Sequence, residues 1–527
     1  MSLPSHPILS CVEARDFESR YFGGDEMKEW AAMQRAGRAV GDAVLHDFEE
    51  IGGFPADGGI LVLAGKGHNG GDAIIAAQSI LERYPSARAE VGFAFGERAL
   101  RPLAARAWQE LVHAGGSRVA RWQPAADGNR VRRAAGYALS LDGIFGFQFR
   151  APVEPRIAAL FATVKALPVR LRAAIDLPSG LSDTTKRSDP VLPADFTYAT
   201  GSVKAPVING LNAGFVGRLR YLDLGFFADE KVEARLRVLT PEVLGPLAGL
   251  RAPATDKRDY GHLFVVGGSR SYPGAVLMSV LAALRSGAGL VTAFVPESLA
   301  AAFAARAPEA MWVGWPETPA GNLALEGQAL LRERIERATA LLIGPGIGRE
   351  GETLALVEDL VKTAPVPLVL DADALQPTIV RAGTARRILT PHLGELKRLL
   401  AGDDFYRTPA GREAVIVVKG QLTGITASGG REGYYSPFGG PVLARGGSGD
   451  LLAGMIGTQL AQTAAEPLLA AARGVVWHGM AADALARAHG QVAVQTTQVL
   501  DFLPETLRAC GGVGGCHPTD CGGCCHS

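Results

Sequence analysis

Cysteine is almost missing from the body of this chain, net charge is missing altogether, and no apolar run is long. Each absence removes a class of protein. Cys11 stands alone until the C-terminus, where Cys510, Cys516, Cys521, Cys524 and Cys525 crowd together. The body therefore has no disulfide framework, which suits a reducing compartment. The 53 basic and 53 acidic residues cancel, so there is no electrostatic reason to expect nucleic acid or an anionic membrane as a partner. No apolar run reaches the roughly 20 residues that span a bilayer. Met1 to Leu9 lacks the charged-then-apolar order of a secretory leader, and a cytoplasmic location is the expectation. What remains is a globular composition, 47% hydrophobic and 20% charged over 527 residues, with two or three domains as the prior.

A charged and apolar mixture with helical periodicity, 24–50, comes first, and short apolar runs then alternate with helical stretches. The pattern predicts strands at 59–65, 89–95, 137–146, 172–180 and 217–225, with helices at 72–83 and 98–114. Strands separated by such helices imply parallel pairing and an α/β layer structure. A charged, then Pro-, Gly- and Ala-rich stretch at 229–258 reads as a linker or domain entry. A second α/β run follows: strands at 261–269, 290–296, 340–348, 367–375, 387–392 and 414–420, and a helix at 275–286. The expected domains are 1–228 and 239–508. The segment 509–527 is glycine-rich without apolar periodicity and reads as a disordered tail. Its Cys516, His517, Cys521, Cys524, Cys525 and His526 could supply one tetrahedral metal site.

The most informative segment is ARGGSGDLLAGMIG (444–457). Gly446, Gly447 and Gly449 let backbone approach an anion, and free N–H groups of the following helix would point at a phosphate. Asp450 stands where a carboxylate can deprotonate a hydroxyl facing that phosphate. For a lone GxGD, a plain helix cap over a tight glycine turn is the better explanation. GPGIG (344–348), DADAL (371–375) and PHLGE (391–395), each at a predicted strand end, shift the balance toward a site.

In this order, and with KRDYGHLFVVGGSRSYPGAVLMSVLAALRSGAGLVT (257–292) and VVKG (417–420), these motifs closely resemble the dehydratase domain of NAD(P)H-hydrate repair enzymes, of the ribokinase-like superfamily. The resemblance covers about Leu239 to Leu507. It implies that Ala275, Gly346, His392 and Asp450 contact the hydrated nicotinamide nucleotide. Lys419, Gly420, Gln421, Leu422, Thr423 and Gly449 would contact the adenine nucleotide. Gln376 stands where the family often has Asn.

In the first half, LVLAGKGHNGGDAIIAA (61–77) contains a formal G-x-G-x-x-G at Gly65, Gly67 and Gly70, with Glu90 about 20 residues on. A dinucleotide fingerprint is the obvious reading. His68, Asn69 and Asp72 argue against it, because a pyrophosphate loop mainly needs bare backbone. The loop instead resembles the GxGNNGGDG signature of the NAD(P)H-hydrate epimerase domain, with His68 for its first Asn and Ala73 for its final Gly. DGIFGFQFR (142–150) and DLPSGL (176–181) agree, and the match spans about Ala14 to Leu224. It implies that Asn69, Asp142 and Ser179 hold a monovalent cation, expected to be potassium. Their oxygens suit a hard cation and not zinc, although Asp142 and Ser179, taken singly, also read as turn-capping groups. Asn69, Gly70, Gly71, Asp72, Gly146, Phe147, Gln148, Phe149, Arg150 and Asp176 would hold substrate, with Asp176 as the acid/base.

The implied architecture is α/β throughout: a Rossmann-like three-layer N-terminal domain and a ribokinase-like three-layer C-terminal domain. The implied activity epimerises R and S hydrates of NADH and NADPH and dehydrates the S form. ADP, or ATP, would serve as co-substrate with magnesium on the nucleotide, in a homo-oligomer. The alternative is a vitamin or sugar kinase with a non-catalytic N-terminal binding module.

Overall fold

The run GILVLA forms the strand Gly59–Ala64, buried from Ile60 onward. A strand apolar on both faces belongs inside a parallel sheet covered by helices on both sides. In this computed structural model, which describes residues 3–123, 136–401, 405–427, 429 and 432–511, that sheet has seven strands. Across it they run Val119–Arg121, Arg88–Phe93, Gly59–Ala64, Tyr137–Gly143, Val169–Ile175, Phe196–Thr200 and Arg218–Leu222, all parallel. The chain moves outward from Gly59–Ala64 in one direction, then returns to start Tyr137–Gly143 on the other side. That reversal is a topological switch point, where a crevice opens beyond the strand ends.

This first compact unit comprises 6–236 and 486–491 of the described residues. Its helix Glu26–Phe48 starts at Asp25, whose side chain caps the N–H groups of Met27 and Lys28. It lies so close to helix His68–Arg83 that a Cβ on Gly37 would sit 2.5 Å from that of Ile75, and one on Gly41 2.0 Å from Ser79 Oγ. Ile8 and Leu9 pair in parallel with Val203 and Lys204, and helix Cys11–Phe22 follows, opened by a capping box between Ser10 and Glu13.

The second unit comprises 3–5, 237–485 and 492–511 of the described residues. Its parallel strands run Met311–Trp315, Leu290–Pro296, His262–Val266, Ala340–Ile343, Leu368–Leu370, Arg387–Leu389 and Val415–Val418. Thr423–Ala427 and Gly433–Ser436 extend the sheet antiparallel. The switch point falls between His262–Val266 and Ala340–Ile343. Two helices, Pro273–Arg285 and Ser448–Gln462, cross so tightly that a Cβ on Gly454 would lie 2.1 Å from the Ser279 carbonyl.

Several boundaries differ from the sequence expectation. The helix expected to begin at residue 72 begins at His68, so the glycine signature forms its first turn and not a loop before it. The helix expected at 98–114 is Pro102–Gly115, after a short turn at Glu97–Ala99. The strands Phe196–Thr200 and Met311–Trp315, the antiparallel hairpin and the long helix Pro467–His489 were not anticipated. The candidate metal ligands of the tail lie outside the described residues. No helix among the described residues is long and apolar enough to cross a membrane.

Candidate functional sites

At the switch point of the first unit lies a cavity of about 400 Å³, lined by the His68–Asp72 turn, the Ile144–Arg150 loop, Asp176 and Lys204. Gly65 and Gly70 make the turn possible: a Cβ on Gly65 would stand 2.0 Å from the Ile144 carbonyl, and one on Gly70 2.4 Å from that of Gly65. Gly71 is pressed instead against Met33, whose Sδ would be 2.5 Å from an added Cβ. The residue is therefore a helix-packing position and does not line the cavity. Ala73 is fully buried against Gly143, so the methyl that departs from the signature sits in the core.

Asn69, Asp142 and Ser179 are brought together by one chain of hydrogen bonds. Asn69 Nδ2 donates to the Phe145 carbonyl at 2.8 Å, and Phe145 N–H donates to Ser179 Oγ at 2.9 Å. Ser179 gives its hydroxyl proton to Asp142 Oδ1 at 2.6 Å and its N–H to Oδ2 at 2.8 Å. Burial pushes the Asp142 carboxyl up to about 6, against the pull of the Ser179 and Ile144 donors. An amide, a hydroxyl and one carboxylate form a donor set of oxygens with at most one negative charge, which fits a monovalent hard cation.

The floor of the cavity is ionic. Asp176 follows strand Val169–Ile175 and has a left-handed backbone, φ 66°, a conformation that non-glycine residues hold at a cost and that concentrates at functional sites. Its Oδ1 lies 2.5 Å from Lys204 Nζ, and both side chains are almost wholly buried. The contact is one of charge, since its angles are poor for a hydrogen bond. The ammonium directs its protons to the carbonyls of Ser202 and Thr200, at 3.0 and 3.2 Å, and stands 5.0 Å from the centre of the Phe147 ring. Asp72 is buried with Oδ1 unpartnered among the described residues. Burial first, then the Asp176 and Glu18 carboxylates, hold it well above the usual carboxylate range. Gln148 and Arg150 are exposed, with Lys66 and Arg101 also on the lining. His68 pairs at 3.4 Å with Glu29. Lys204 and Glu18 both line this cavity and both were missed in the sequence.

In the second unit, loops at the carboxyl edge of the sheet converge. Gly346, φ 70°, fits where a Cβ would stand 2.4 Å from the Tyr272 carbonyl and 3.1 Å from the Ala275 Cβ, so Gly346 and Ala275 are neighbours. His392 caps helix Leu393–Leu399: Nδ1 accepts from the Gly394 and Glu395 N–H groups, while Glu395 reaches back to the His392 N–H. Because Nδ1 accepts, the remaining ring proton of the neutral imidazole is on Nε2. Lys419 N–H donates to the Pro391 carbonyl at 2.9 Å, seating Lys419 beside His392. Gly420, Gln421 and Leu422 form the turn into strand Thr423–Ala427.

Helix Ser448–Gln462 starts from Gly447, φ 90°, and puts Asp450 in its first turn. The cap is therefore glycine, and the capping reading of Asp450 does not hold. Lys419 Nζ lies 3.2 Å from where a Cβ on Gly449 would stand and donates to Asp371 Oδ1 at 2.8 Å. Thr390 donates to the same oxygen at 2.6 Å. Burial raises the Asp450 carboxyl to about 7, Asp371 adds to this, and Lys419 opposes it. Burial alone would depress the Lys419 ammonium, but the Asp371, Glu395 and Asp450 carboxylates leave it above its ordinary value.

Each unit thus gathers its ionisable side chains at the carboxyl edge of an open parallel sheet, as α/β enzymes do, and the chain has two such edges. A family model described as YjeF-related protein N-terminus matches residues 30–205, and one described as NAD(P)H-hydrate dehydratase matches 263–505. The bifunctional NAD(P)H-hydrate repair enzyme Nnr of Moorella thermoacetica is 35% identical over 497 residues, covering 90% of this chain and 92% of the relative. Its counterpart from Gloeobacter violaceus is 35% identical over 521 residues, covering 94% and 97%. A solved structure, the ADP/ATP-dependent NAD(P)H-hydrate dehydratase of Bacillus subtilis with ATP/Mg2+, is 28% identical over 51% of this chain and 97% of that one, with a TM-score of 0.43. The chain belongs to the bifunctional NAD(P)H-hydrate repair enzyme family.

Proposed function

We propose that this chain restores hydrated NADH and NADPH in two reactions. The first unit equilibrates the R and S hydrates, and the second dehydrates the S form with ADP as phosphoryl donor and magnesium carried on the nucleotide. The observation that supports this most is Asp450, a carboxyl held near neutrality in the first turn of a glycine-capped helix, beside the Lys419 ammonium. The substrate carries a hydroxyl on C6, next to the ring nitrogen, and hydroxide leaves poorly. Asp450 takes the hydroxyl proton while the oxygen attacks the terminal phosphoryl group. The C6–O bond then breaks to phosphate with push from nitrogen, and loss of a C5 proton to solvent restores the dihydropyridine. Lys419 and the glycine-loop N–H groups offset charge on the transferring group. Ala275, Gly346 and His392 line the hydrate side of this site, and Lys419–Thr423 with Gly449 the nucleotide side.

In the first unit C6 behaves as a carbinolamine carbon. Loss of the hydroxyl gives an iminium, and return of water from the other face inverts the centre without redox chemistry. Asp176 exchanges the proton, with the Lys204 ammonium 2.5 Å away as its charge partner. Asn69, Asp142 and Ser179 would hold potassium, which would order the Phe145–Arg150 loop, and Arg150 offsets a substrate phosphate. A free nucleotide substrate and a body poor in cysteine are consistent with a cytoplasmic enzyme.

The test uses the full-length protein with a mixture of R and S hydrates, ADP and magnesium. Complete conversion is expected, read as the near-ultraviolet absorbance of the dihydronicotinamide and as AMP and phosphate. A stable phosphorylated product without that absorbance would instead make the second unit a small-molecule kinase. Conversion that stops when the S hydrate is exhausted would make the first unit a binding module.

A further inference from the structure

The epimerase cavity contains more acid than one base requires. Pairing of Ile8 and Leu9 with Val203 and Lys204 seats helix Cys11–Phe22 beside Lys204, and Glu18 of that helix joins Asp72, Asp176 and Lys204 on the cavity lining. Glu18, Asp72 and Thr200 also line a small adjoining cavity of about 60 Å³, room for about two waters. Three carboxyls thus share the inner wall with the buried Lys204 ammonium, while Lys66, Arg101, Arg150 and Glu154 line the cavity as exposed residues. Lys204, 2.5 Å from Asp176, offsets that one charge. Burial and the mutual repulsion of the three carboxyls both oppose ionising all of them together on this inner wall.

Inversion at C6 needs water to leave from one face of the ring and to return to the other. A carboxyl fixed on one side of a clamped ring reaches one face. Resting on the epimerase reading given above, we propose that Glu18 is the second acid–base group of this cavity, working on the C6 oxygen from one face while Asp176 works from the other. Protonated Glu18 gives its proton to the C6 hydroxyl as the C6–O bond breaks and the nitrogen lone pair forms the C=N bond, and a water molecule departs. Water then adds to C6 from the opposite face and gives a proton to the Asp176 carboxylate. The centre is inverted, Asp176 is protonated, and Glu18 is ionised, which is the state the reverse reaction needs. Exchange of one proton with solvent resets the pair.

Asp72 suits this role less well, because it is enclosed and burial, Asp176 and Glu18 all oppose its charge. Burial raises Glu18 to about 7, Lys204 pulls it back, and the Asp176 and Glu29 carboxylates add to the rise. A group that cycles its proton works best with its pKa near the operating pH. His68, paired with Glu29, completes the ionisable groups around it.

The test takes the full-length enzyme, pure R hydrate and no nucleotide, and follows the epimer ratio above the uncatalysed background. Glu18→Gln is expected to lower kcat by about 10²-fold or more with KM little changed. Its residual rate should lack the decline that the parent shows above about pH 7 as Glu18 loses its proton. Glu18→Asp should retain part of the activity, and both variants should dehydrate S hydrate with ADP at the parent rate. A Glu18→Gln enzyme that epimerises within about threefold of the parent overturns the proposal. Equal loss in Glu18→Asp and Glu18→Gln, with raised KM, also overturns it, as a packing role. A parent enzyme that leaves pure R hydrate unchanged would instead refute the epimerase reading itself.

Discussion

Asp450 works in a setting that opposes its own charge. Its carboxyl is raised from 3.8 to about 7, so between those values the folded chain holds a proton that the unfolded chain releases. Stability contributed by this group is present below about pH 4 and is lost as pH rises through 7. Activity in the proposed mechanism runs the other way, because a general base must be ionised. Asp450→Asn should therefore lower dehydration by about 10²–10⁴-fold. The same variant should melt higher than the parent at pH 8 and no differently at pH 4, by calorimetry. Near-parent dehydration by the Asn variant would remove Asp450 from the chemistry. Asp371 is the counterpart: it binds the Lys419 ammonium at 2.8 Å and is itself steadied by Thr390. DADAL offered two carboxylates, and the sequence has no way to choose between them. Asp371 turns inward to Lys419, whereas Asp373 pairs with Arg349 at 2.7 Å nearer the surface.

Helix Ser448–Gln462 depends on how it begins. Gly447 has φ 90°, and a Cβ there would lie 2.4 Å from both Sδ and Cε of Met278, whereas one on Gly446 would meet nothing within 4 Å. Gly447→Ala should cost about 1–2 kcal/mol in backbone strain alone and weaken nucleotide binding by tilting the first turn. Gly446→Ala should melt close to the parent; calorimetry and nucleotide titration compare the two, and equal behaviour would discount the cap. Most parallel strands of both sheets were legible because they are short continuous apolar runs, as buried parallel strands must be. The helix start at His68 was not, because glycines at 70 and 71 oppose helix by propensity. There the close approaches of Gly70 to Gly65 and of Gly71 to Met33 decide the conformation. Asn69, Asp142 and Ser179 could be named from their motifs. Glu18 and Lys204 could not, since RDFESRYF reads as an ordinary charged helix and GSVKAP as a loop. Only the pairing of Leu9 with Lys204, across nearly two hundred residues, makes them neighbours.

At the scale of the molecule, two units with separate hydrophobic cores allow the two reactions to be disabled one at a time. Asp142→Ala removes the acceptor of three donors, the Ser179 hydroxyl and the N–H groups of Ser179 and Ile144. Loss of the proposed cation ligand and of loop order should lower epimerisation by about 10–100-fold, while dehydration of pure S hydrate stays near the parent rate. Equal loss of both activities would make Asp142 a folding residue for the whole chain. The Asp176–Lys204 pair has a consequence of a different kind. Removing one member of a buried pair typically costs about 3–5 kcal/mol, whereas removing both charges is often neutral or stabilising. Lys204→Met alone should melt well below the parent, and adding Asp176→Asn, whose side chain tolerates the left-handed backbone, should restore most of the loss. A double variant as unstable as the single one would contradict this. If the restoration occurs, a lineage released from the need to epimerise would drift toward neutral residues at both positions together. Charge retained at 176 and 204 would then be a mark of selection for turnover, readable in any relative without an assay.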